Sequence, residues 1–146
     1  MLSNSCKYGI RAVTYIASQP PGSGNIGLRQ IAAALGLPTP FLAKILQLLA
    51  KQKILSSTKG PHGGFVLLRK PGQITLFDIV RAIDGDELFT NCVMHNNQCR
   101  CSDTEKAPCL LHDEYTDIRV SLSRLFNDKT IENIVSSVSA SGNIEI

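Results

Sequence analysis

A chain of 146 residues, 43% hydrophobic and 18% charged, suits one water-soluble domain, or one domain with a compact appendage. No apolar run approaches the ~18 residues that span a bilayer, and the opening Met1-Leu-Ser-Asn-Ser-Cys-Lys-Tyr8 lacks the apolar centre of an export signal, so a cytoplasmic chain with no membrane partner is expected. The formal charge of +3 hides an asymmetry: residues 1–77 hold nine Lys or Arg and no Asp or Glu, whereas from Asp78 onward six bases meet twelve acids. A wholly basic half raises the local potential toward a polyanion, and counterion release from nucleic acid turns that potential into affinity; the plainer reading is a solvated basic surface.

Tyr8, Ala12, Tyr15 and Ile16 recur at helical spacing and predict a first helix over about Ser3 to Ser18, stopped by Pro20-Pro21-Gly22. Leu28, Ile31, Ala32 and Leu35 form the stripe of a short second helix closed by Gly36. A third follows, with Thr39 placed to cap it through its hydroxyl, Pro40 at the first helical position, and Phe41, Leu42, Ile45, Leu46, Leu48 and Leu49 as a broad buried face. Ala43, Lys44, Gln47 and Lys51 are left outward. Two short helices joined by a tight Gly-containing turn, the second presenting small, amide and basic side chains, describe a helix-turn-helix whose second helix enters the major groove.

Ile54 to Thr58, the turn Lys59-Gly-Pro-His-Gly-Gly64, and Phe65 to Arg69 then read as a two-stranded wing. Lys59 and His62 sit where a wing tip meets phosphate or the minor groove, although Gly-Pro and Gly-Gly also mark ordinary hairpins. Arg29 and Gln30, Thr39 and Pro40, Lys44 and Gln47, and Lys59 and His62 make up the candidate DNA contacts. Thr75-Leu-Phe-Asp78 is a capping-box variant opening a helix through Ile83, which Gly85 ends.

Between Cys92 and His112 the chain gathers four of its five cysteines and two of its three histidines. Thiolates collected by a short loop suit soft or borderline metals, and a His three residues beyond the last Cys adds a nitrogen ligand on the same side. Reduced cysteines in a cytoplasm favour metal or redox chemistry over disulfides. Iron–sulfur and zinc both remain open, since Cys92, Cys99 or Cys101, Cys109 and His112 can also close a tetrahedral zinc site. A Cys109–His112 nucleophile pair is a third reading, but no phosphate loop or oxyanion motif accompanies it and no enzyme is expected.

Pro108 stands at a plausible first helical position, which would put Cys109 and His112 on one opening turn. Leu111, Tyr115, Ile118, Leu122 and Leu125 then form a heptad seam for a second subunit or for the chain's own core. Ile131, Ile134, Val135 and Val138 predict a last amphipathic helix before a Ser-rich, fraying tail.

The chain from Leu2 to about Val138 resembles bacterial winged-helix regulators of the IscR, NsrR and CymR type. The resemblance rests on Lys7-Tyr8-Gly-Ile-Arg-Ala12, Leu28-Arg-Gln-Ile-Ala32, Leu42-Ala-Lys-Ile-Leu46, Lys59-Gly-Pro-His-Gly-Gly-Phe65, Ile74-Thr-Leu-Phe-Asp-Ile-Val-Arg-Ala82 and Cys109-Leu-Leu-His112. It implies a mainly α fold with a small β wing: a winged helix-turn-helix domain over 1–84, a cysteine-rich loop over 85–108, a dimerisation helix and C-terminal helix over 109–138, and a tail over 139–146. It also implies a homodimer on a double-stranded operator, with an iron–sulfur cluster, 2Fe-2S before 4Fe-4S, reporting iron, redox or nitric oxide status. A zinc-stabilised or thiol-based regulator is the alternative.

Three loop cysteines and a variable fourth ligand hold the cluster in such proteins. In the IscR pattern the fourth is the His three residues after the last Cys, where His112 stands. In the NsrR pattern it is an acidic residue before a Tyr of the first helix, but Lys7 precedes Tyr8 and cannot ligate as a carboxylate does. The resemblance thus implies Cys92, Cys101, Cys109 and His112, with Cys99 competing for the second thiolate. Two departures stand out: the loop is longer than usual with one cysteine to spare, and Cys6 lies where an all-thiolate cluster can recruit it.

Overall fold

The computed structural model describes residues 1–94 and 110–141, with side chains described as far as Val138. Helix α1 (Asn4–Ala17) starts at Ser3, whose hydroxyl accepts the backbone N–H of Cys6 at 3.0 Å, so the predicted first residue is the cap. Helix α2 (Leu28–Leu35) ends at Gly36, which takes the left-handed conformation at φ +64° that glycine adopts without a Cβ penalty.

Helix α3 (Thr39–Lys51) departs from expectation in two ways. Pro38, not Thr39, is the capping position, and Thr39 makes no side-chain cap bond. The cause is local: Pro40 removes one of the orphan N–H groups, and the Pro38 carbonyl accepts from Phe41 and Leu42, both at 3.1 Å. The buried face is also narrower than six residues. Leu42, Ile45, Leu46 and Leu49 are buried, while Phe41 and Leu48 remain 36% and 42% exposed on the flank the core does not reach.

The wing is a two-stranded antiparallel sheet, β1 (Leu55–Thr58) and β2 (Gly64–Leu67), registered Leu55 to Leu67 and Thr58 to Gly64. It is shorter than predicted: the ladder ends at Leu55 and Leu67, Leu68 N donates to Ile54 O at 3.0 Å, and Arg69 pairs with Asp78 at 3.2 Å. Ile26, before α2, bridges Phe65 through two hydrogen bonds of 2.9 Å and ties the wing to the helix-turn-helix. A 3-10 turn at Pro71–Gln73 leads into α4 (Leu76–Ile83), where both capping-box bonds form, Asp78 N to Thr75 Oγ1 at 3.1 Å and Thr75 N to Asp78 Oδ2 at 3.2 Å.

A short helix α5 (Glu87–Thr90) occupies the start of the segment expected to be cysteine loop; it exists because Phe89 buries itself between Phe77 and Phe126, with centroids 4.7 and 5.4 Å away. Helix α6 (His112–Asp128) opens at His112, not at Pro108. Helix α7 (Ile131–Ser141) runs past Val138 and returns to the body: Ile131 N donates to Ile74 O, and Leu76 N to Lys129 O, both at 2.9 Å. Fully buried Ile131 therefore joins the same core as α1, α3 and α4.

Candidate DNA interface and cysteine loop

Helices α2 and α3 meet at 114°, within the range of a helix-turn-helix. On this frame Arg29, Gln30 and Pro40 are exposed, Thr39 is half-buried at the first position of α3, and Lys44 and Gln47 are exposed one turn further along. Lys59 and His62 are exposed in the wing turn. That turn is closed by Gly63 N donating to Gly60 O at 2.9 Å, with Gly60 at φ +109°. A Cβ at Gly63 would strike the Thr58 carbonyl, and one at Gly64 the Ile26 carbonyl, so the glycines allow strand, turn and Ile26 backbone to lie together. Among the described residues the one ion pair is Arg69–Asp78, which leaves Arg29, Lys44 and Lys59 without an acidic partner. Their charge is available to a polyanion.

At the second candidate site, the structure places Cys92 and His112 but not their companions. Cys92 is half-buried two residues beyond α5, and Arg119 of α6 donates through Nη1 to the Thr90 carbonyl at 3.2 Å, fastening that end of the loop to the helix His112 opens. His112 is half-buried as the first helical residue, with Leu110 and Leu111 in a turn before it. Cys99, Cys101 and Cys109 lie outside the described residues, as does His95. Because α6 opens at His112 itself, the first turn expected to hold both Cys109 and His112 begins after Cys109 in the chain. Among the described residues no group of three or more His, Cys, Asp or Glu is assembled for a metal.

Cys6, the outlying thiol, is fully buried against the α1 core. Burial, with a smaller push from the Asp84 carboxylate, raises its pKa to about 12. Asp84 is itself held by Ser3, which donates to it through both backbone N–H and hydroxyl and so joins the cap of α1 to the end of α4. The Arg119 and Asp84 contacts were not anticipated: each links residues far apart in sequence and leaves no periodic signal.

The heptad seam divides in the structure. Tyr115, Arg119, Leu122 and Phe126 are half-buried, and Leu122 and Phe126 pack on the chain's own core. Leu111, Ile118 and Leu125, seven residues apart, face outward at 46, 61 and 51% exposure.

A basic helix-turn-helix, a glycine-built wing and a long helix with an uncovered apolar row together describe a DNA-binding regulator. Residues 2–137 match the Rrf2 family, described as an iron-dependent transcriptional regulator. The chain belongs to the Rrf2 family. It is similar to the HTH-type transcriptional regulator IscR of Sodalis glossinidius, with 27% identity over 136 residues, covering 93% of this chain and 79% of that one. Among solved structures it resembles CymR, the global cysteine regulator of B. subtilis, with a TM-score of 0.77 and 23% identity over 94% of this chain and 97% of that one. T. potens IscR gives the same TM-score at 21% identity, covering all of this chain and 93% of the other. These likenesses support the winged-helix fold, and this Rrf2 protein is a transcription regulator rather than an enzyme. No single helix among the described residues is long and apolar enough to cross a membrane.

Proposed function

We propose that this Rrf2 regulator binds operator DNA as a homodimer in the cytoplasm, and that occupancy of an iron–sulfur site between α5 and α6 sets its affinity. The observation behind the DNA reading is the exposed, acid-free surface of α2, α3 and the wing, with Lys44, Gln47 and Lys59 uncovered. Dimerisation rests on Leu111, Ile118 and Leu125, an apolar row that this chain's own core leaves uncovered. The unit over 1–84 would supply the DNA contacts and α6 the subunit contact.

The donor chemistry suits a cluster. Cys92 and His112 end the two segments that Arg119 holds together, and Cys101 and Cys109, with Cys99 as the competing thiolate, belong to the loop between them. Against Cys6 stands the cost of forming a thiolate in the core, where burial holds its proton. We therefore assign the ligands to Cys92, Cys101, Cys109 and His112. When bound, a cluster supplies a crosslink across the loop and a charge that changes with oxidation; three thiolates and one imidazole carry less negative charge than four thiolates and favour a higher potential. Arg119 orients the Cys92 end toward α6, and the Ser3–Asp84 contact ties the end of α4, just before the loop, to α1.

The test is the iron and sulfide content of protein purified without oxygen. Loss of both in Cys92→Ser, Cys109→Ser and His112→Ala, with only one of Cys99→Ser and Cys101→Ser having that effect, is expected. Colourless wild-type protein holding zinc would replace the cluster with a structural metal. If Cys6→Ser empties the site while His112→Ala spares it, the fourth ligand is the first-helix thiol and the assignment to His112 is withdrawn.

A further inference from the structure

A cleft of about 580 Å³ is lined by the turn that follows α3 (residues 52–54), by Arg69 just past β2, and by α4. Its charges are Lys53, Arg69 and Arg81 against a single carboxylate, Asp78. That carboxylate is already engaged, by Arg69 Nη1 at 3.2 Å and the Thr75 N–H at 3.2 Å. Arg69 Nη1 also donates to the Gln73 carbonyl at 3.4 Å. Lys53 and Arg81 have no acidic partner among the described residues, so the cleft keeps two uncompensated positive charges. Lys53 is also the one non-glycine residue with positive φ among the described residues, at +57°, a left-handed turn just after α3.

We propose that this cleft is an oxyanion site, taking the phosphate group of a soluble small molecule through Lys53, Arg69 and Arg81. Size and charge fit: the volume lies within that of small-ligand sites, and ammonium and guanidinium donors around one pocket are what a phosphate dianion requires. The location separates the site from the DNA surface. Helix α4 packs on the buried side of α3, as Ile45 and Ile79 beside Gly9 show, whereas Lys44 and Gln47 are exposed on another face. A ligand here touches the turn that ends α3, the end of the wing and α4 together, so any difference in its affinity between free and DNA-bound protein is by linkage an effect on DNA binding. The assignment does not depend on the iron–sulfur reading, because the cleft shares no residue with it.

Amide resonances of the full-length protein, titrated with inorganic phosphate at constant ionic strength made up with chloride, test the site. Saturable shifts at Lys53, Arg69 and Arg81 are expected, with Lys53→Gln and Arg81→Gln each weakening binding about tenfold. Both side chains are exposed, and unchanged melting temperatures would confirm that the variants fold. Phosphate should still bind when duplex DNA is saturating. Displacement of phosphate by duplex, with a reduced salt slope of DNA binding in Arg81→Gln, would make the cleft a DNA-backbone contact and overturn the small-molecule assignment. Absence of saturable shifts, or variants that titrate like the wild type, would overturn the site altogether.

Discussion

Lys44, Gln47 and Lys59 are exposed, and the two lysines lack acidic partners among the described residues. Replacing either Lys with Ala should weaken binding to all duplexes and lower the slope of log affinity against log salt by about one for each phosphate no longer neutralised. Gln47→Ala should instead relax preference at particular base pairs by ~1–3 kcal/mol. Fluorescence anisotropy over a salt series separates the two effects; no change in all three variants would mean that α3 does not dock in the major groove. Cys6 gives a second test at this scale. Its folded pKa of about 12 lies above the starting value of 9.0, so the folded state holds the proton more tightly than the unfolded state. The stabilisation is complete below about pH 9 and is lost as pH rises toward 12. Denaturant unfolding from pH 8 to 10.5 should show stability falling more steeply in the wild type than in Cys6→Ala, and equal slopes would mean the thiol is not held in the core.

Among the elements, α6 is where the proposed dimer is tested. Ile118 is 61% exposed whereas Leu122 packs on the core, so the two positions answer different questions. Ile118→Glu should leave folding and thermal stability near those of the wild type while halving the mass seen by light scattering and reducing operator affinity; Leu122→Glu should destabilise the fold itself. A fully dimeric Ile118→Glu protein would place the interface elsewhere. The helices α1, α2, α4 and α7 were legible because their apolar residues keep a 3.6-residue period and their ends carry Ser3, Gly36 and the Thr75–Asp78 box. Periodicity could not say how wide a face the core covers, so Phe41 and Leu48 were wrongly placed inside, and the 111–125 seam stayed open between a second subunit and the chain's own core; of its residues, Leu122 packs on the core while Leu111, Ile118 and Leu125 stay exposed. Helix α5 escaped because four residues hold no period; one aromatic ring, Phe89, specifies it through partners far along the chain. At the cysteine loop, residue type pointed to metal chemistry, yet which thiol stands beside His112 depends on loop geometry that spacing does not encode.

Across the whole molecule, the basic half forms the helix-turn-helix and wing, while the acid-bearing half begins in α4 and continues through α6 and α7. The two halves are not mechanically separate. Ile131 of α7 is buried with the α1 and α3 residues, Arg119 fastens α5 to α6, and Ser3 joins α1 to Asp84 just before the loop. With the proposed ligands, exchange at Cys92 or His112 would act on segments already in contact with the body that carries α3, the physical route by which the proposed cluster would reach DNA affinity. The direct measurement is the dissociation constant of anaerobic protein for a duplex selected from random-sequence DNA, determined with the cluster intact and again after its removal by a chelator. Control of binding by the cluster requires the two constants to differ by at least about fivefold, the lower end of typical allosteric coupling. Equal constants in the two forms, with the cluster shown by iron and sulfide analysis to be present in one and absent from the other, would contradict it.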